Sequence, residues 1–146
     1  MIQKAKELVP TATSIRSHSL VQSERLIDQF LDNGFKRICN LFIPYNNDMR
    51  VSPFNLWNGA IIVPHQFQDN ASIRMNEEFN QIDSFSRGFH VFDFHPIHVF
   101  LNTESLERYE QTRSLHNNPK ELIRHRYEGY GTRNRLLDLL NLSKKI

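Results

Sequence analysis

Short apolar runs alternate with helix-start signals along almost the whole chain. "FKRICNLFI" at 35–43, "GAIIVP" at 59–64 and "GFHVFDFH" at 88–95 read as strands, and "TSIRSHS" at 13–19 as a shorter, more polar one. A parallel neighbour needs a crossover long enough to hold a helix, so strands interleaved with helices favour parallel pairing. The expected fold class is therefore α/β, with about four strands and flanking helices. In such folds side chains at the C-terminal ends of strands gather into sites.

The helices are marked by their ends. Residues 2–9 form a short helix that Pro10 stops. Ser19 and Gln22 fit a capping box for a helix over 20–33, since Gln at the third helical position can bond back to the cap amide. Leu26, Ile27, Phe30 and Leu31 make one apolar stripe on it. Gly34 ends it, where a positive φ is easy for glycine. Asn102 or Thr103 caps a helix through Leu106 and Tyr109. Asn118-Pro119-Lys120-Glu121 combines an N-cap, proline at the first helical position and a glutamate three residues after the cap. Thr132 caps the last helix, with Leu136, Leu137, Leu139, Leu140 and Leu142 as its buried face. Residues 44–58 read as a polar, Pro- and Asn-rich loop, and 73–85 are ambiguous between helix and coil.

Bulk properties narrow the function. The 146 residues suit one compact domain. A net charge of +2 without a basic run argues against nucleic acid. The single cysteine, Cys39, excludes a cysteine-built zinc cluster, but seven histidines leave a His/carboxylate metal site open. The N-terminus lacks the apolar run of a signal peptide, and no stretch has the length of a membrane span. A cytoplasmic protein is expected.

Four candidate positions fall where strands end: His18, Pro44-Tyr45, His65 and His95. Asp93 and His95 are two apart on a strand and share a face, so Asp93 can orient a histidine or bind a ligand. The plain alternative is a loop-capping aspartate beside a packed ring. His98 follows Pro96, which breaks the strand period. Arg16 shares a face with His18, and pairing with a carboxylate is its simplest role. Tyr45 can contact a polar oxygen or cover the core. Trp57, the only tryptophan, can stack on a sugar ring or pack inside. His65 and Asp69 are four apart, but Pro64 and Asn70 favour a loop there. No G-x-S-x-G, P-loop or G-x-G-x-x-G pattern occurs.

"IRSHSLVQS", "LFIPYNND", "IIVPHQFQDN", "FDFHPIHVFLNTES" and "YGTRNRLLDLL", in this order, resemble the later part of a polysaccharide deacetylase-like family of bacterial surface-glycan gene clusters. That family is distantly related to the NodB-homology carbohydrate esterases. The resemblance runs from about Lys6 onward and implies an irregular (β/α) barrel. It also implies a divalent metal, commonly zinc, that activates water against an N- or O-acetyl group on a sugar. It makes His18 the first histidine of the metal motif and His95 or His98 the late general acid, with Asp93 orienting it. Gln22 stands where the pattern has a second histidine, and the arginine near "IPY" is missing. Nothing before His18 resembles the strand that carries the paired aspartates.

The resulting expectation is a metal-dependent sugar deacetylase, in a truncated or split form: one domain over 1–146, an incomplete barrel lacking its N-terminal strand or strands. Tyr45, Arg16 and Trp57 are its expected carbohydrate contacts. An open sheet edge is an aggregation liability, so a homodimer or a separate N-terminal polypeptide is expected to cover it. The alternative is a non-catalytic remnant or carbohydrate-binding module with the same fold.

Overall fold

The structure, a computed structural model, describes residues 2–44, 51–80 and 88–144. It is mixed α/β and divides into two compact units. The first holds residues 2–66 with 88–91, and the second holds 67–80 with 92–144, counting described residues.

In the first unit, helix α1 (Ile2–Leu8) leads to strand β1 (Ser14–Ile15). Helix α2 (Glu24–Asp32) crosses to β2 (Arg37–Ile38), and β3 (Phe54–Asn55) and β4 (Ile61–Ile62) complete a sheet of order β1-β2-β4-β3. β2 pairs in parallel with β1 and β4, in the register Ile15↔Ile38↔Ile62, and β3 is antiparallel to β4. Parallel pairing is thus as expected, while β3 falls in the stretch read as a loop. Ile38 and Ile62 turn one face toward Ile27 and Phe30 of α2, with Phe35 and Ala60 closing the cluster. Burying each of the larger side chains contributes about 1.5–3 kcal/mol.

The start of α2 differs from the sequence expectation. Ser23 is its N-cap, and its Oγ accepts the Leu26 N–H at 3.2 Å. Ser19, the expected cap, has φ 55° and sits in a turn of 3-10 helix at His18–Leu20. Asn40 holds this turn from across the sheet. Its Oδ1 accepts the Ser17 N–H at 2.9 Å, and its Nδ2 donates to the Val21 carbonyl at 2.9 Å. Two tertiary bonds to one buried amide outweigh a local capping box that offers about 1 kcal/mol. Gly34 takes φ 79° after α2, as its position required.

In the second unit β5 (Phe67–Gln68) runs straight into α3 (Asp69–Arg74) and pairs in parallel with β6 (Phe92–Asp93), register Gln68↔Asp93. Six strands are described, against about four expected. β6 is shorter than the apolar run that announced it. α4 (Pro96–Leu101), α5 (Leu106–Gln111), α6 (Pro119–Leu122) and α7 (Thr132–Ser143) follow. The apolar core is Phe67, Ile73 and Phe79, with the Arg135 guanidinium 4.8 Å from the Phe67 ring centroid and 5.5 Å from that of Phe79. Of the ambiguous stretch 73–85, only 73–74 are helical, as the end of α3; 75–80 are turn and coil, and 81–85 lies outside the described residues.

Asn118 caps α6 through the Glu121 N–H, as the sequence indicated. Ser105, not Asn102 or Thr103, caps α5. Asn102 instead takes φ 53° at the end of α4, and its Oδ1 accepts the Arg133 N–H at 2.9 Å, so it caps α7 from 31 residues away. Thr132 is the first residue of α7 and not its cap, and its hydroxyl donates to the Thr103 carbonyl at 2.7 Å. Only Leu139 of the five leucines is buried. Leu137 and Leu140 are exposed.

Candidate functional site

The site grows from the β5–β6 pairing. Gln68 lies beside Asp93, so the next residue of each strand leaves the pair together, and Asp69 arrives opposite the chain entering His95. Asp69 has no exposed surface. Its Oδ2 accepts the His95 backbone N–H at 2.6 Å, and its Oδ1 lies 2.6 Å from His95 Nδ1. The same Oδ1 accepts the Asn70 N–H at 2.7 Å. One carboxylate thereby fixes both the backbone and the ring of His95, whose side chain remains 30% exposed. A carboxylate on Nδ1 sets the tautomer, so Nε2 is the nitrogen that takes and gives a proton.

His98 lies behind His95. The two rings meet edge to face at 5.8 Å, and His98 Nδ1 is 3.3 Å from the Thr103 hydroxyl. Burial holds the His98 pKa below the usual histidine value. Asp69 pulls it up, while His95, His116 and Arg74 push it further down. The series continues through Tyr109, 5.1 Å from His98, to His116, 4.9 Å from Tyr109. His98 is therefore a buried, preferentially neutral ring, and His95 is the half-exposed one.

The other expected residues fall elsewhere. Asp93 is half-buried in β6, and the carboxylate 2.6 Å from His95 Nδ1 is Asp69. Sequence spacing favoured Asp93 because it is near in the chain. The pairing of β5 with β6 was the signal that pointed to Asp69. His18 and Arg16 are exposed in the first unit. His65 is also in the first unit, almost fully buried, with its ring stacked on Phe42 at 5.2 Å. Tyr45 lies outside the described residues.

Trp57 is 82% exposed at the tip between β3 and β4. Leu56 N–H donates to the Ala60 carbonyl at 2.7 Å, Gly59 takes φ 85°, and Asn58 Nδ2 donates to Asp28 Oδ1 at 2.9 Å. The tip is thus held in shape while the indole projects beside a hollow of about 280 Å³ that Gln22 and Glu24 also line.

Among the described residues no group of three or more His, Cys, Asp or Glu side chains is arranged to hold a metal. A catalytic zinc takes three protein ligands. His18 with Gln22 does not make that set. Nor is any helix among the described residues long and apolar enough to cross a membrane.

Comparison with known proteins agrees with the fold and the motifs. The family model for WbmS-like polysaccharide deacetylases matches residues 1–113. A crystal structure from Bordetella bronchiseptica, of a proposed polysaccharide deacetylase involved in O-antigen biosynthesis, is 36% identical with a TM-score of 0.88. The match covers 99% of this chain and 61% of that one, so this chain spans about three fifths of its relative's length. Curated proteins give no match. With the family pattern extending through residue 113 and a solved relative matching nearly every residue, this chain belongs to the WbmS-like polysaccharide deacetylase family.

Proposed function

We propose that this chain carries the proton-donor part of a deacetylase that removes an acetyl group from a sugar of a bacterial surface glycan, of the O-antigen kind. The observation that supports this reading is the Asp69–His95 pair: a fully buried carboxylate holding a half-exposed imidazole at 2.6 Å. Hydrolysis of an acetamide or acetyl ester passes through a tetrahedral intermediate. As its C–N or C–O bond breaks, the departing nitrogen or oxygen must receive a proton. His95 Nε2 supplies that proton, and Asp69 stabilises the imidazolium beforehand.

The zinc belongs to the same proposal, with His18 as the ligand from this chain. When bound it would activate water. The remaining ligands and the aspartate base would come from outside the described residues, and the described strands would form part of a larger (β/α) barrel. A cytoplasmic setting fits glycan assembly. Trp57 would present its indole face to the C–H face of a sugar ring, with Arg16 and Tyr45 as further contacts. The exposed indole on a rigid tip also favours a second reading, a glycan-binding module without chemistry of its own.

Acetate release separates the two readings. The chain is fused to the segment of the Bordetella relative that it does not match, and assayed with added zinc on acetylated O-antigen oligosaccharide. The fusion should release acetate, and His95→Ala should slow release by about two orders of magnitude or more. A folded fusion that binds the oligosaccharide without releasing acetate leaves the binding module. Equal rates with and without His95 rule out its role.

A further inference from the structure

Arg126 and Arg133 line one hollow of about 430 Å³ in the second unit, whose other walls are Phe94, Pro96, Val99, Phe100 and Leu136. Arg126 is fixed in place. Its Nε donates to the Phe100 carbonyl at 2.6 Å, and its guanidinium carbon lies 5.1 Å from the Phe100 ring centroid. Arg133 is exposed in the first turn of α7. Arg108, Arg113 and Arg124 each pair with a glutamate, but among the described residues no carboxylate pairs with Arg126 or Arg133. Burial, and then the charge of Arg133, lower the pKa of Arg126. Two cations therefore border one space without a counter-ion, and an anion placed there relieves both.

The walls say what kind of anion. A small inorganic ion gains nothing from Phe94, Phe100 and Leu136. A pyranose ring does, because its C–H faces are apolar while its substituents are polar. A guanidinium fork matches a carboxylate in two parallel hydrogen bonds. Phe94 and Pro96 are also the chain neighbours of His95. We propose that this hollow takes an acidic sugar residue, a pyranose bearing a carboxylate, and that Arg126 and Arg133 select for it. This inference rests on the glycan reading above and gives it a substrate class: an acidic glycan, with its charged ring held next to the segment that carries His95.

The test measures binding by calorimetry on the whole chain at low salt, with trigalacturonate, neutral trigalactose and inorganic phosphate as probes. Trigalacturonate should bind at least about tenfold more tightly than either of the others, a preference that weakens as salt rises. Arg133→Gln, at an exposed position that leaves folding intact, should lose about tenfold in affinity for trigalacturonate and nothing for trigalactose. Arg126→Lys keeps the charge but not the fork and should lose affinity as well. Equal binding of the acidic and neutral trisaccharides overturns the proposal, as does wild-type affinity in both variants. Phosphate bound as tightly as trigalacturonate overturns the sugar assignment. An inactive fusion that still shows the acidic preference refutes the deacetylase reading and leaves this inference standing.

Discussion

Asp69 Oδ1 lies 2.6 Å from His95 Nδ1, while Asp69 Oδ2 accepts the His95 backbone N–H at the same distance. The two residues are 26 apart in the chain and meet because β5 and β6 pair in parallel. Replacing the carboxylate tests both its structural and its chemical role. Asp69→Ala removes the acceptor of two backbone N–H groups from a fully buried position and should cost about 3 kcal/mol or more in urea unfolding. Asp69→Asn keeps the shape and should cost less, but it should redistribute the His95 tautomers, read from ring 15N shifts. An unchanged Nδ1 signal in Asp69→Asn would remove Asp69 as the group that sets the tautomer.

His98 should make stability depend on pH. Burial lowers its folded pKa below the usual value of 6.5, so the unfolded chain binds the proton more readily. Its contribution is complete above that usual value and is lost as pH falls through the lower folded pKa. Unfolding free energy should therefore drop more between pH 8 and pH 5 in the wild type than in His98→Gln. Parallel pH profiles for the two proteins would show that His98 is not the group responsible.

Gly131 should not tolerate a side chain. A Cβ there would run into the backbone carbonyl of Asn102 and lie 2.8 Å from Asn102 Oδ1. Asn102 Nδ2 donates to the carbonyls of Tyr127 and Gly129, and Oδ1 caps α7, so displacing this amide breaks several bonds together. Both Gly131→Ala and Asn102→Ala should lower stability by about 2–4 kcal/mol. Their double mutant should fall short of the sum, because both act on one network. A mild Gly131→Ala, below about 0.5 kcal/mol by thermal unfolding, would contradict the close packing.

The chain by itself should bind zinc weakly and release no acetate above background. A metal-bound water becomes a nucleophile near neutral pH only when the ion is held and the water is oriented. His18 with Gln22 falls short of three ligands. Zinc titration by calorimetry should show no tight site, and His18→Ala should change little. Robust turnover by the isolated chain, abolished by His18→Ala and His95→Ala, would mean that the ligand set is complete within these 146 residues.

Local spacing determined the class of the protein and much of its punctuation. The alternation of apolar runs with cap signals gave α/β order and parallel pairing, and the cap at Asn118, the stop at Gly34 and the buried stripe of Ile27 and Phe30 all depend on residues within one or two turns. Tertiary structure decided the rest. Ser23 rather than Ser19 caps α2 because Asn40 binds the preceding turn from 19 and 23 residues away. Four of five leucines on α7 stay at least partly exposed because burial depends on what faces a helix, not on its own period. Asp69 became the partner of His95 because the β5–β6 register brought it there. Hydrogen bonds between distant segments depend on where the chain returns, and spacing along the chain carries no record of that.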